Sequence, residues 1–181
     1  SVYVNTKEAT TDGGKSIAGD IQDQSVPVDA DIGTVKIVLA GAGLDKVNDK
    51  LVLDSAIVLS ADVTGSNVTI GTITGIDYKY DSASQTLTLT KNGGGALDAT
   101  TIDDIVKAIK LSTTSTTQGD RTATISYVDL AGNEGPSATS TLTLDTAAPT
   151  AVDLAATTGT QNTASVYVNT KEATTDGGKS I

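Results

Sequence analysis

The chain has 181 residues and a formal charge of −10, from 22 acidic against 12 basic side chains, and it contains no Cys, His, Phe, Trp or Met. These absences exclude disulfides, thiolate and imidazole metal ligands, a cysteine nucleophile and Ser-His-Asp chemistry, so no enzymatic activity is expected. The negative balance repels polyanions, so nucleic acid is not an expected partner, and no apolar run approaches the roughly 20 residues that span a membrane.

The acid is nearly all Asp, 19 residues against three Glu, and there are 31 Thr. Asp suits turns and oxygen-ligand loops, and Thr suits strands. The core must be built from Val, Ile, Leu and Ala. This is the composition of an all-β extracellular domain.

In chain order, the first feature is a repeat. Ser1–Ile17, SVYVNTKEATTDGGKSI, recurs without a difference as Ser165–Ile181, an offset of 164 residues. Long identical repeats mark duplicated units set end to end. The expected division is therefore one β-sandwich module over 1–146, a linker with the start of the next repeat over 147–164, and the exact copy of 1–17 over 165–181. Neighbouring identical repeats in the same chain are the expected partners. A segment such as Ala151 to Asn169, separated from the rest of its own module, is expected to pair with a sheet edge, including by strand exchange between molecules.

Alternating patterns predict strands at Thr34 to Ala40, Lys50 to Leu53, Ala56 to Leu59, Val68 to Ile73 and Ile76 to Tyr80. Thr86 to Thr90 should pair with IDYKY across the turn Asp81 to Gln85. Tyr78 and Tyr80 share one strand face and read as packing. KVNDK, Lys46 to Lys50, reads as a solvated turn. After the flexible NGGG of Asn92 to Gly95, Ile102, Ile105, Val106 and Ile109 form one apolar stripe at helical spacing. This predicts a short crossover helix near 100–111, capped by Thr100 or Thr101, with Asp103 and Asp104 in its first turn and Lys107 and Lys110 near its end. Arg121 to Val128 and Thr139 to Leu144 predict a last hairpin, joined by the turn-rich DLAGNEGPSA. The sole arginine, Arg121, is expected to pair with an Asp in a structural role.

Three Asp-containing clusters at strand ends are candidate metal ligands. Asp29 and Asp31, two apart and followed by Gly33, precede the strongest strand. Asp129, Asn133 and Glu134 supply oxygens around the bend at Gly132. Asp145 follows the last strand, with Asp153 beyond it. Oxygen-only ligand sets select hard cations, and calcium accepts irregular loop geometry. Short sequences of this kind are also common turns.

The run YVDLAGNEGPSATSTLTLDTAAPTA resembles the last hairpin and linker of bacterial immunoglobulin-like or cadherin-like repeats, which fill giant cell-surface adhesins of the RTX type. VDADIG resembles the DAD element of cadherin-like domains, and GDRT a common entry to the penultimate strand. The resemblance implies a Greek-key β-sandwich extender, stiffened by Ca2+, at the bacterial cell surface. It implies one calcium held by Asp129 and Asn133 near the hairpin tip, one by Asp145 at the linker, and one by Asp29 and Asp31 at the opposite pole. The linker lacks the full DxNDN run of cadherins, and the 164-residue period exceeds the roughly 100 residues of an immunoglobulin-like domain. The expected role is a non-catalytic, calcium-stabilised spacer that projects a distal binding domain for adhesion or biofilm formation. The alternative is a module that itself binds a glycan or host protein. The lack of Trp and Phe favours the spacer.

Overall fold

Hydrophobic alternation organises the chain into two β-sheets that share one aliphatic core. The computed structural model describes residues 2–4, 14–17 and 31–147. In these the strands are β1 (Val2–Val4), β2 (Lys15–Ser16), β3 (Ile32–Ala40), β4 (Asp49–Val52), β5 (Ala56–Val58), β6 (Val63–Ile70), β7 (Ile73–Asp81) and β8 (Thr86–Lys91). The helix α1 (Ala99–Ala108) and the strands β9 (Lys110–Thr113), β10 (Gly119–Asp129) and β11 (Ala138–Leu144) follow.

The larger sheet has the order β1-β11-β10-β3-β8-β7-β6, and the smaller β2-β9-β4-β5. All pairings are antiparallel except that of β1 with β11, which is parallel. The architecture is mostly β and sandwich-like, with one short helix among the described residues. Alternation does what a pleated strand requires. Along β3, Val35, Ile37 and Leu39 face the core while Thr34, Lys36 and Val38 stay half-exposed. Leu51, Ile57 and Leu111 of the smaller sheet join them in one cluster with Leu87, Leu89 and Tyr80 of the larger. Tyr78 and Tyr80 are both buried, so packing accounts for their shared face.

The helix connects β8 in the larger sheet to β9 in the smaller, and its stripe of Ile102, Ile105 and Val106 is fully buried. Its cap is Asp98, not Thr100 or Thr101. The Asp98 carboxylate accepts from the Thr101 amide at 2.9 Å and the Thr101 hydroxyl at 2.7 Å. The two threonines thus lie inside the first turn, because Asp outranks Thr as a cap. Asp103 and Asp104 consequently fall beyond the first turn. Asp103 pairs instead with Lys107, four residues on. The helix stops at Ala108, since Ile109 takes an extended backbone and Lys110 and Leu111 begin β9.

The strand predicted at Val68 to Ile73 is really the end of β6, a turn at Gly71 and the start of β7. Gly71 has φ +63°, a conformation glycine adopts without strain. The predicted last hairpin forms, with Arg121 opposite Leu142 and Ile125 opposite Ala138. Along Leu142 to Leu144 the outer edge of β11 is taken by Val2 to Val4. The segment expected to pair with such an edge, Ala151 to Asn169, lies outside the described residues.

By its contacts the chain divides into two compact units, 1–146 and 147–181, and all but Ala147 of the second lies outside the described residues.

Candidate functional site

The register of the long strands sets the predicted ligands at two ends of the module. Ile32 of β3 lies opposite Asp129 of β10, so Asp31 stands at the hairpin-tip end. A backbone bond joins the two, the Leu130 amide donating to the Asp31 carbonyl at 2.8 Å. At the far end of β11, Leu144 lies opposite Gly119 at the start of β10, so Asp145 sits at the other end of these strands. Asp31 thus shares an end with Asp129 and Asn133, away from Asp145. Asp29 and Asp153 lie outside the described residues.

At the hairpin tip the donor set is internally satisfied. Asp129 accepts from the Asn133 backbone amide and from its side-chain amide, both at 2.8 Å, one on each carboxylate oxygen. The side-chain bond from Asn133, then the backbone bond, hold the Asp129 carboxyl below the usual carboxylate range. The Asp129 amide donates to the Asn133 carbonyl at 3.0 Å, and Gly132, at φ +94°, makes the bend between them. Glu134 turns back along the sheet. It accepts from the Ser126 hydroxyl at 2.5 Å and from the Lys36 ammonium at 2.9 Å. The Ser126 bond and then Lys36 lower its carboxyl.

No three Asp or Glu side chains converge on a common point among the described residues. A calcium ion takes six to eight oxygens. Asp129, Asn133 and Glu134, bonded to one another and to Ser126 and Lys36, do not fit it in this arrangement. Asp129→Ala should therefore lower the melting temperature slightly, and by the same amount in excess calcium as in EDTA. A loss seen only with calcium would show that Asp129 ligates the ion.

The opposite end holds a polar cluster that sequence reading missed. Asp49, read from KVNDK as part of a solvated turn, is wholly buried at the start of β4, and Arg121 of β10 is 2 % exposed. The Arg121 Nε donates to Asp49 Oδ2 at 3.1 Å, and its Nη1 to the carbonyls of Thr117 and Gly119 at 2.9 and 3.0 Å. The pair bridges the two sheets, β4 in the smaller and β10 in the larger. Around it, Gly41 and Gly43 let the loop after β3 lie against β10. A Cβ on Gly41, at φ +119°, would come within 2.1 Å of the Asp120 carbonyl oxygen. Asp45 closes the cluster. Its carboxylate accepts from the Asn48 side chain at 2.9 Å, the Ser115 hydroxyl at 2.7 Å and the Val47 amide at 3.1 Å.

Those bonds, the Asn48 side chain foremost, lower the Asp45 carboxyl from the usual 3.8 to about 2. A carboxyl lowered on folding stabilises above its unfolded value and loses that contribution as pH falls through its folded value. Stability should thus fall between about pH 4 and about pH 2. Denaturant melts across this range should be less steep in pH for Asp45→Asn than for wild type; identical slopes would remove Asp45 from the acid response. The arginine's partner was hidden because Asp49 is 72 positions away. The available signals were that Arg121 is the sole arginine and begins a strand.

No protein-family model matches the chain, and no curated protein and no solved structure matches it either.

Proposed function

We propose that the chain is a non-catalytic extender repeat of a large bacterial surface adhesin. In this reading it is one period of a tandem array that holds a distal binding domain away from the cell, for adhesion or biofilm formation. The observation that carries the reading is the exact recurrence of Ser1–Ile17 at an offset of 164 residues, around a module with its own core.

Topology supports the immunoglobulin-like side of the resemblance. In that architecture strands C, F and G share one sheet, and A, B, E and D the other. The order β11-β10-β3 follows G-F-C, and β2-β9-β4 follows B-E-D. Residues 53–109, which carry β5 to β8 and α1, then read as an insertion between the D and E strands. Setting them aside brings the 164-residue period close to the roughly 100 residues of that architecture.

The surface supports a spacer over a binder. Among the described residues the large apolar side chains left exposed are Val47, Val58 and Leu130, on three separate segments. Isolated apolar residues of this kind are normal on any surface and form no platform for a sugar or protein. Calcium belongs to the proposal through ligand sets that include Asp29 or Asp153, and not through the self-bonded hairpin of Asp129, Asn133 and Glu134. The test against the alternative reading is a glycan array probed with the isolated module in millimolar calcium. The spacer reading expects no glycan to be retained; a saturable glycan would overturn it in favour of a ligand-binding module.

A further inference from the structure

The first 17 residues are not a loose lead-in. Val2, Tyr3 and Val4 add in parallel to β11 opposite Leu142, Thr143 and Leu144. Lys15 and Ser16 add antiparallel to β9 opposite Leu111 and Lys110. Ile17 is wholly buried in the core, and its amide donates to the Ile109 carbonyl at 3.0 Å. The Ser16 hydroxyl donates to the Lys107 carbonyl at 2.9 Å. Gly14 is required just before them: its φ is +98°, and a Cβ there would lie 2.4 Å from the Leu111 carbonyl oxygen.

The segment is thus held by backbone pairing along two strand edges, one glycine where only glycine fits, and one apolar anchor. Strand addition of this kind reads an extended peptide through main-chain bonds and side-chain pockets. It does not depend on how that peptide is tethered. Every one of these features recurs in the second copy, as Val166, Tyr167, Val168, Gly178, Lys179, Ser180 and Ile181.

We propose that the slot formed by the edges of β9 and β11 and the Ile17 recess is specific for the sequence SVYVNTKEATTDGGKSI. Ser165–Ile181 of the same chain is then its second occupant. The chain between Leu144 and Val166 is about twenty residues, far longer than the few ångströms needed to bring Val166 beside Leu142 at ~3.3 Å per residue. Both copies make the same contacts, so linkage decides which is bound. Where modules follow one another, the shared segment can close either the module before it or the module after it. The inference rests on the repeat and the slot, and stands whether or not the module is an adhesin spacer.

Three variants of the full chain test it by thermal melting. An aspartate at the buried anchor removes that copy as an occupant, because an unpaired charge cannot be accommodated in an apolar recess. Ile181→Asp should melt as wild type. Ile17→Asp should melt within a few degrees of wild type, because the second copy takes the slot. The double variant, left without an occupant, should melt lower by about 10 °C or more. Ile17→Asp melting as low as the double variant, or failing to fold, would overturn the proposal. So would a double variant that melts as wild type.

Discussion

Arg121→Ala is expected to destabilise the module by about 3–5 kcal/mol, because it strands the Asp49 carboxylate in the interior. Asp49 is wholly buried, and its other hydrogen bond comes from the Asp45 backbone amide at 2.8 Å, which cannot neutralise it. Asp49→Ala should cost a similar amount by isolating the guanidinium. Removing both charges at once is a different matter, since a buried ion pair gains little over apolar groups of like volume. The double replacement Asp49→Leu with Arg121→Met should therefore lose less than either alanine variant. Denaturant melts of the singles and the double give the comparison. Strict additivity would mean that the two side chains are not coupled and that the bridge between the sheets is incidental.

Tyr80→Ala should cost about 3–5 kcal/mol, the range for deleting a buried aromatic side chain. The chain has no Phe or Trp, and Tyr80 is among the largest side chains wholly buried in it. It also ties the two sheets, since its hydroxyl, on β7, donates to the carbonyl of Leu59, just after β5, at 3.3 Å. Tyr80→Phe keeps the ring and gives up only that bond, a loss of about 1 kcal/mol. Equal losses for Ala and Phe would place the importance of Tyr80 in its hydroxyl and not in core volume.

The strands were legible where burial imposes period two over several residues. TVKIVLA, IDYKY, TLTLT and RTATISYV each present one face to a single core, so composition and alternation agree. Legibility ended where structure depends on a distant partner. Lys110–Thr113 has only four residues and follows the helix directly, so its apolar Leu111 was absorbed into the helical stripe. Val2–Val4 and Lys15–Ser16 are two or three residues long and gain their strand character from the edges they join.

The candidate ligands show the same divide. That Asp129 and Asn133 act together was readable from their spacing around Gly132. That they satisfy each other depends on the side-chain amide reaching back, which spacing alone does not reveal. The polar cluster most tightly buried, Asp49 with Arg121, was hidden because nothing local distinguishes a buried Asp from a turn Asp. Its burial follows from the loop glycines that bring β4 against the start of β10.

The central claim is that these modules act as an extended spacer, and small-angle X-ray scattering on chains of one, two and four repeats in millimolar calcium tests it most directly. A stiff array predicts that the maximum dimension grows linearly, about doubling from two repeats to four. Modules on flexible linkers would extend only as the square root of their number, about 1.4-fold over the same step. Modules that fold back on one another would grow less still, and either of those results would contradict the extender account.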